Sequence, residues 1–301
     1  MTFIPSYIDL YEKGELQQRV LLLEKFLEEC RLCPRECGVN RLNGEVGFCQ
    51  AGSQLKISSA FPHFGEEPPL VGYHGSGTIF LTHCNLRCIF CQNYDISHLG
   101  NGEPITFLDM ARVMVRLQEM GCHNINFVTP TQFTPQIIAS LPEAIGMGLR
   151  IPIVYNCSGY ESIEVIRLLE GVVDIYMPDV KYLDSEPSKK FSNAPDYPEV
   201  IKGVLKEMHR QVGDLTVNSK GIAERGLLIR HLVMPNRVAS SEAILKFIAE
   251  GISVHSYVNI MDQYRPEYRA HEYPETNRRI TQKEYLEAIQ WAKGYHLYRG
   301  F

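Results

Sequence analysis

Cys84, Cys88 and Cys91 lie in the stretch THCNLRCIFCQN, residues 82–93, at a C-x3-C-x2-C spacing. Thiolates are metal ligands, and a closed zinc or iron–sulfur site normally takes four of them or their equivalents. Three would hold a four-iron cluster and leave one iron open, much as catalytic zinc sites keep one position free for chemistry. The same i, i+4, i+7 spacing would also put three small apolar residues on one helix face. Asn85, Arg87, Gln92 and Asn93 make the surroundings too polar for that reading.

A second group, CRLCPRECGVNRLNGEVGFC, supplies Cys30, Cys33, Cys37 and Cys49 at C-x2-C-x3-C-x11-C. Four thiolates complete a site for zinc or for a four-iron cluster. The x2 pair does not recur as it usually does in zinc frameworks, and a structural zinc and an iron–sulfur cluster both stay open on spacing alone. Of nine cysteines two remain. Cys122 follows a helix at the expected far end of the fold, and Cys157 reads as a small buried side chain.

The elements that must position these thiols follow from hydrophobic periodicity. Residues 14–29 form an amphipathic helical pattern. From Ser76 onward, short runs rich in Val and Ile alternate with helical segments: TIFLT, NINFVT, IPIVYN, VVDIYMP, LLIRHLV and ISVHSYVNI each precede one. Six such units require a parallel sheet with right-handed crossovers. The expected class is α/β, a partial (β/α)6 TIM-like barrel (residues 73–301) behind a small N-terminal cysteine-rich extension (residues 1–72). A doubly wound sheet is the alternative. Function sits at the C-terminal strand ends in both.

The triplet, Phe90 before its last cysteine, and its place just after the first strand resemble the signature of the radical S-adenosylmethionine superfamily. GSGTIFLTHCNLRCIFCQNYDIS, INFVTPTQFTP, YMPDVKY, RHLVMPN and YVNIMDQYRP are similar to blocks of its pyruvate formate-lyase activating enzyme-like subfamily. The resemblance implies a [4Fe-4S] cluster on Cys84, Cys88 and Cys91 with S-adenosylmethionine on the open iron. It further implies reductive cleavage to a 5′-deoxyadenosyl radical, an electron donor such as flavodoxin or ferredoxin, and hydrogen abstraction from a substrate.

The remaining strand ends offer partners for that chemistry. Phe90 and Asn93 flank the triplet's last cysteine. The second strand ends Val128-Thr129-Pro130-Thr131, where the superfamily often has Gly-Gly-Glu, so the Thr129 and Thr131 hydroxyls and local carbonyls either take the carboxylate's place as acceptors for the methionine ammonium or serve only the turn around Pro130. The third carries Asn156, Ser158 and Tyr160 toward the mouth. On the fourth, Asp179 and Lys181 alternate with Val180 and so share a face. They form either a surface ion pair of little value or, as in related activating enzymes, a catalytic pair facing cosubstrate or substrate. On the fifth, Arg230 and His231 interrupt an apolar run, and one of them must face the barrel interior. By resemblance His231 contacts the cosubstrate. The polar stretch after the sixth strand, Asn259 to Arg265, reads as a substrate-binding segment or lid.

Composition narrows the rest. A net charge of −5 and pI near 6.1 leave no basic footprint for nucleic acid. No window of apolar residues is long enough for a membrane span, and the start has no basic-then-apolar leader pattern, so a cytosolic location is expected. The expected function is a radical oxidoreductase of the activating type acting on a glycine of a protein substrate. The rivals are radical modification of another protein or small molecule, and a non-catalytic iron–sulfur or zinc protein serving binding or electron transfer.

Overall fold

The structure is a computed structural model, and it describes residues 3–301. Its strands are β1 (Lys56–His63), β2 (Ser76–Leu81), β3 (Glu103–Pro104), β4 (Ile125–Val128), β5 (Ile153–Cys157), β6 (Ile175–Pro178), β7 (Thr216–Val217), β8 (Ala223–Leu232) and β9 (Tyr257–Met261). The six expected strands are β2, β4, β5, β6, β8 and β9. They pair in parallel and in chain order. Sequential parallel pairing with helical crossovers is a partial (β/α)6 barrel rather than a doubly wound sheet, in which the strand order would reverse.

The longer crossover helices are α5 (Phe107–Glu119), α6 (Thr134–Gly146), α9 (Tyr197–Val212), α10 (Ser241–Gly251) and α11 (Gln282–Gly294). Four shorter ones precede or punctuate them: α3 (Pro68–Val71), α4 (Tyr94–Ser97), α7 (Ile163–Leu168) and α8 (Ser185–Ser192). Local chemistry sets several of their starts. Thr106 caps α5 through the Asp109 amide, Pro135 opens α6 where no N–H is needed, and Thr281 with Glu284 forms a capping box on α11. Among the described residues no helix is long and apolar enough to cross a membrane.

The extension is part of the same body. Its helices α1 (Ser6–Glu12) and α2 (Glu15–Glu24) add Tyr7, Leu16 and Leu23, all fully buried, to the core between strands and helices. Strand β1 then runs antiparallel to β2 along the barrel's first edge. Residues 64–71 cross from there toward the last strands. Glu67 accepts from Asn259 Nδ2 at 2.9 Å, Glu66 lies 3.6 Å from Arg230, and Leu70 joins Val154, Ile175, Met177 and Leu228 in the barrel's apolar floor. That segment spans the side where β9 and β2 do not pair.

Candidate active site

The residues at the C-terminal strand ends converge on one open pocket of about 360 Å³. Cys84, Cys88 and Cys91 line it from the loop after β2, together with Phe90 and Asn93. Thr129, Asn156, Ser158, Asp179 and Lys181 enter from the ends of β4, β5 and β6. Strand alternation decides which side chains face inward. On β8 Arg230 and Leu232 point in, so His231 between them points out.

The inward groups are tied together by charge. Arg230 Nε donates to Asp179 Oδ1 at 2.8 Å, its other arm donates to Asn156 Oδ1 at 2.8 Å, and Lys181 Nζ lies 2.6 Å from Asp179 Oδ2. Burial alone would raise the Asp179 carboxyl, but Arg230 and Lys181 outweigh it and hold the group below its ordinary range. Lys181 is likewise held in its charged form by Asp179 against the opposing effect of burial. The Tyr197 hydroxyl lies 2.9 Å and 2.8 Å from the carbonyls of Ser158 and Asp179, clamping two strand ends to one another.

The triplet is supported by short polar contacts. Ser192 Oγ donates to Cys88 Sγ at 3.1 Å, Ser97 Oγ lies 3.1 Å from Cys91 Sγ, and the Leu86 amide donates to Cys84 Sγ at 3.4 Å. Burial pushes the Cys84 thiol up to about 12 and Cys88 to about 11, with Lys181 opposing the rise at Cys88. Thiols so placed give up their protons to a metal rather than to water, and donors to thiolate sulfur are what such a cluster site requires. The residues present therefore fit a three-thiolate cluster.

Three expected residues lie elsewhere. His231 is fully buried behind β8, with Nδ1 2.9 Å from the Val180 carbonyl and Nε2 2.8 Å from Ser241 Oγ; burial holds it at about 4, hence neutral. Thr131 donates to Glu161 at 2.8 Å and lines a different cavity, formed by the N-terminal thiols. Tyr160 also turns from the mouth, donating to Asp196 at 2.7 Å beneath the Arg35 guanidinium.

The extension contributes three pocket residues that escaped the sequence reading. His63, Gly65 and Glu66 come from the extension, where no periodicity pointed to a barrel edge. Glu66 is pushed up by burial and only partly brought back by Arg230. An acidic pair, Glu66-Glu67, just before Pro68-Pro69 was the one available signal.

The sequence model of the radical SAM superfamily matches residues 78–223, from β2 into β8. The uncharacterized protein MJ0674 of Methanocaldococcus jannaschii is 34% identical over 290 residues, which cover 94% of this chain and 79% of that protein. With the parallel barrel, these matches define the class. The chain belongs to the radical SAM superfamily, and membership implies a [4Fe-4S] cluster and S-adenosylmethionine.

Proposed function

We propose that Cys84, Cys88 and Cys91 hold the catalytic cluster and that the pocket beside them takes S-adenosylmethionine and a substrate that loses a hydrogen atom. The observation that carries this reading is the sharing of one strand-end pocket by the three thiols, Asn156, Ser158, Asp179 and Lys181. When bound, the cluster supplies the electron that cleaves the sulfonium to methionine and a 5′-deoxyadenosyl radical. The chain's own residues bind and orient. Asn156, Ser158 and Thr129 offer neutral acceptors and donors, Asp179 and Lys181 present a fixed dipole, and Phe90 packs 6.1 Å from Tyr264 to give the pocket an apolar wall.

The substrate lies on the side of Glu66 and His63, which the extension inserts between the first and last barrel strands. A polar wall on that side favours a polar small molecule or a charged side chain over an uncharged glycine loop. Activation of a glycyl partner is the competing outcome, and an electron donor such as flavodoxin or ferredoxin serves both.

The test is anaerobic. Reconstituted, reduced protein is mixed with S-adenosylmethionine and 5′-deoxyadenosine is quantified against Cys88→Ala. Cleavage that vanishes in the variant supports the reading. No product, with an iron EPR signal indifferent to S-adenosylmethionine, overturns it in favour of a binding or electron-transfer protein. A glycyl radical doublet on an added partner protein would restore the activating role.

A further inference from the structure

We propose that the four N-terminal thiols hold a second iron–sulfur cluster that passes electrons to the triplet across a wall made by Cys84 and Asn85, with Arg35 positioning that wall. This rests on the reading of the triplet as a cluster site. Cys30, Cys33, Cys37 and Cys49 line one narrow cavity of about 10 Å³, together with Arg35, Arg41 and Asn85.

Charge is the first argument. Arg41 is 1% exposed, and its guanidinium is met by carbonyls alone: Gly52, and Gln132 at 2.7 Å. Arg35 is half-buried and likewise meets only carbonyls and the rings of Phe48 and Tyr160, 3.9 and 5.1 Å away. Buried cations call for a counter-charge. Four metal-bound thiolates with an anionic net charge supply it, whereas four protonated thiols do not.

Spacing is the second. A zinc ion needs its thiolates about 2.3 Å from one point. The C-x2-C-x3-C-x11-C spacing lacks the second x2 pair usual in zinc frameworks, which suits a polynuclear cluster better than a single ion.

Position is the third. Asn85 lines this cavity and Cys84, one residue earlier, lines the pocket beside the triplet, so a single peptide link joins the two walls. Thr131 and Thr129 repeat the arrangement on the next loop. Arg35 fastens both sides of the triplet: Nε donates to the Asn85 carbonyl at 3.1 Å, and another arm donates at 2.9 Å to the carbonyl of Ser192, whose hydroxyl donates to Cys88. A cavity with room for little more than a water molecule admits no substrate, which leaves electron transfer as the role for a redox group there. One electron leaves a low-potential flavin or iron–sulfur protein, reduces the N-terminal site and moves on to the triplet. The donor ends oxidised by one electron, and no atom or proton is transferred.

The experiment compares wild type, Cys33→Ala/Cys37→Ala and Arg35→Gln after anaerobic reconstitution. It measures iron per chain, EPR, and the rate of triplet reduction by titanium(III) citrate and by reduced flavodoxin. Expected are about eight irons in wild type and about four in the double variant, as two four-iron clusters require. Flavodoxin-driven reduction of the double variant falls at least tenfold while the titanium rate holds. Arg35→Gln keeps both clusters and slows only the flavodoxin-driven step several-fold. Zinc or only four irons in wild type, or equal flavodoxin rates in all three proteins, overturns the proposal. If the double variant loses its triplet cluster as well, Arg35→Gln decides, and an unchanged flavodoxin rate with full iron overturns it. Cleavage of S-adenosylmethionine by titanium-reduced wild type reports separately on the catalytic reading.

Discussion

Arg230 Nε sits 2.8 Å from Asp179 Oδ1 while Lys181 Nζ sits 2.6 Å from the other oxygen of the same carboxylate. All three side chains are only 17–18% exposed. Replacing one partner of a buried ion network leaves the others uncompensated, at about 3 kcal/mol or more. Asp179→Asn is expected to lower the free energy of unfolding in urea by about that amount. A loss below about 1 kcal/mol would mean that Glu66 and Glu67, 3.6 and 3.9 Å from Arg230, take over as its partners.

A pH dependence follows from Glu161. It is fully buried among Thr131, Tyr155 and Cys157, and burial pushes its carboxyl up from 4.5 to about 7 despite those hydrogen bonds. With the folded value above the unfolded one, the stabilising protonated form is fully present below about 4.5 and is lost as pH rises through about 7. The cost at high pH is on the order of 3 kcal/mol, at about 1.4 kcal/mol per tenfold. Thermal unfolding from pH 5 to 8 should show Tm falling in the wild type, with a flatter profile in Glu161→Gln. Parallel profiles would assign the slope to another group.

The Ser192 hydroxyl, donating to Cys88 Sγ at 3.1 Å, withdraws electron density from a ligand sulfur. Hydrogen bonds to sulfur raise a cluster's potential. A bond to a charged acceptor worth about 1.4 kcal/mol corresponds to about 60 mV for a one-electron couple. Ser192→Ala is therefore expected to lower the triplet cluster's midpoint by up to about 60 mV in an EPR-monitored titration, with iron content unchanged. An unmoved midpoint would show that the hydroxyl only packs.

Gly159 holds φ at +75°, and a Cβ there would come within 2.9 Å of the Asp179 carbonyl and closer still to Ile201. The turn it makes carries Ser158 into the pocket and Glu161 back into the core. Gly159→Ala should destabilise the protein by more than about 1 kcal/mol. It should also weaken S-adenosylmethionine binding in equilibrium titration. Normal binding in a destabilised variant would restrict the turn to a folding role.

The strand ends were readable because each parallel strand announces itself by a short Val- and Ile-rich run and its polar residues then fall at the mouth. Parity was harder. Arg230 and His231 are neighbours, and only the pleat register of β8 against β6 and β9 tells that the arginine faces in. The resemblance favoured the histidine, and the structure gives that ring to Val180 and Ser241. Thr129 and Thr131 look equivalent around Pro130, yet Thr129 adopts φ +59° and stays in the pocket while Thr131 begins a helical turn toward the N-terminal thiols. Glu66 and His63 were illegible for another reason. Their place depends on an antiparallel hairpin formed outside the repeating βα pattern, so no period in the chain encodes it.

That hairpin has a consequence for any attempt to shorten the chain. Strand β1 occupies the hydrogen-bonding edge of β2 along six paired positions. A fragment beginning at residue 73 would expose that edge as a template for other chains. It would also uncover the barrel's flank where Glu67 meets Asn259. The barrel is thus unsuited to life as a free-standing module, and fusions or truncations intended to isolate it should preserve the strand from Lys56 to His63.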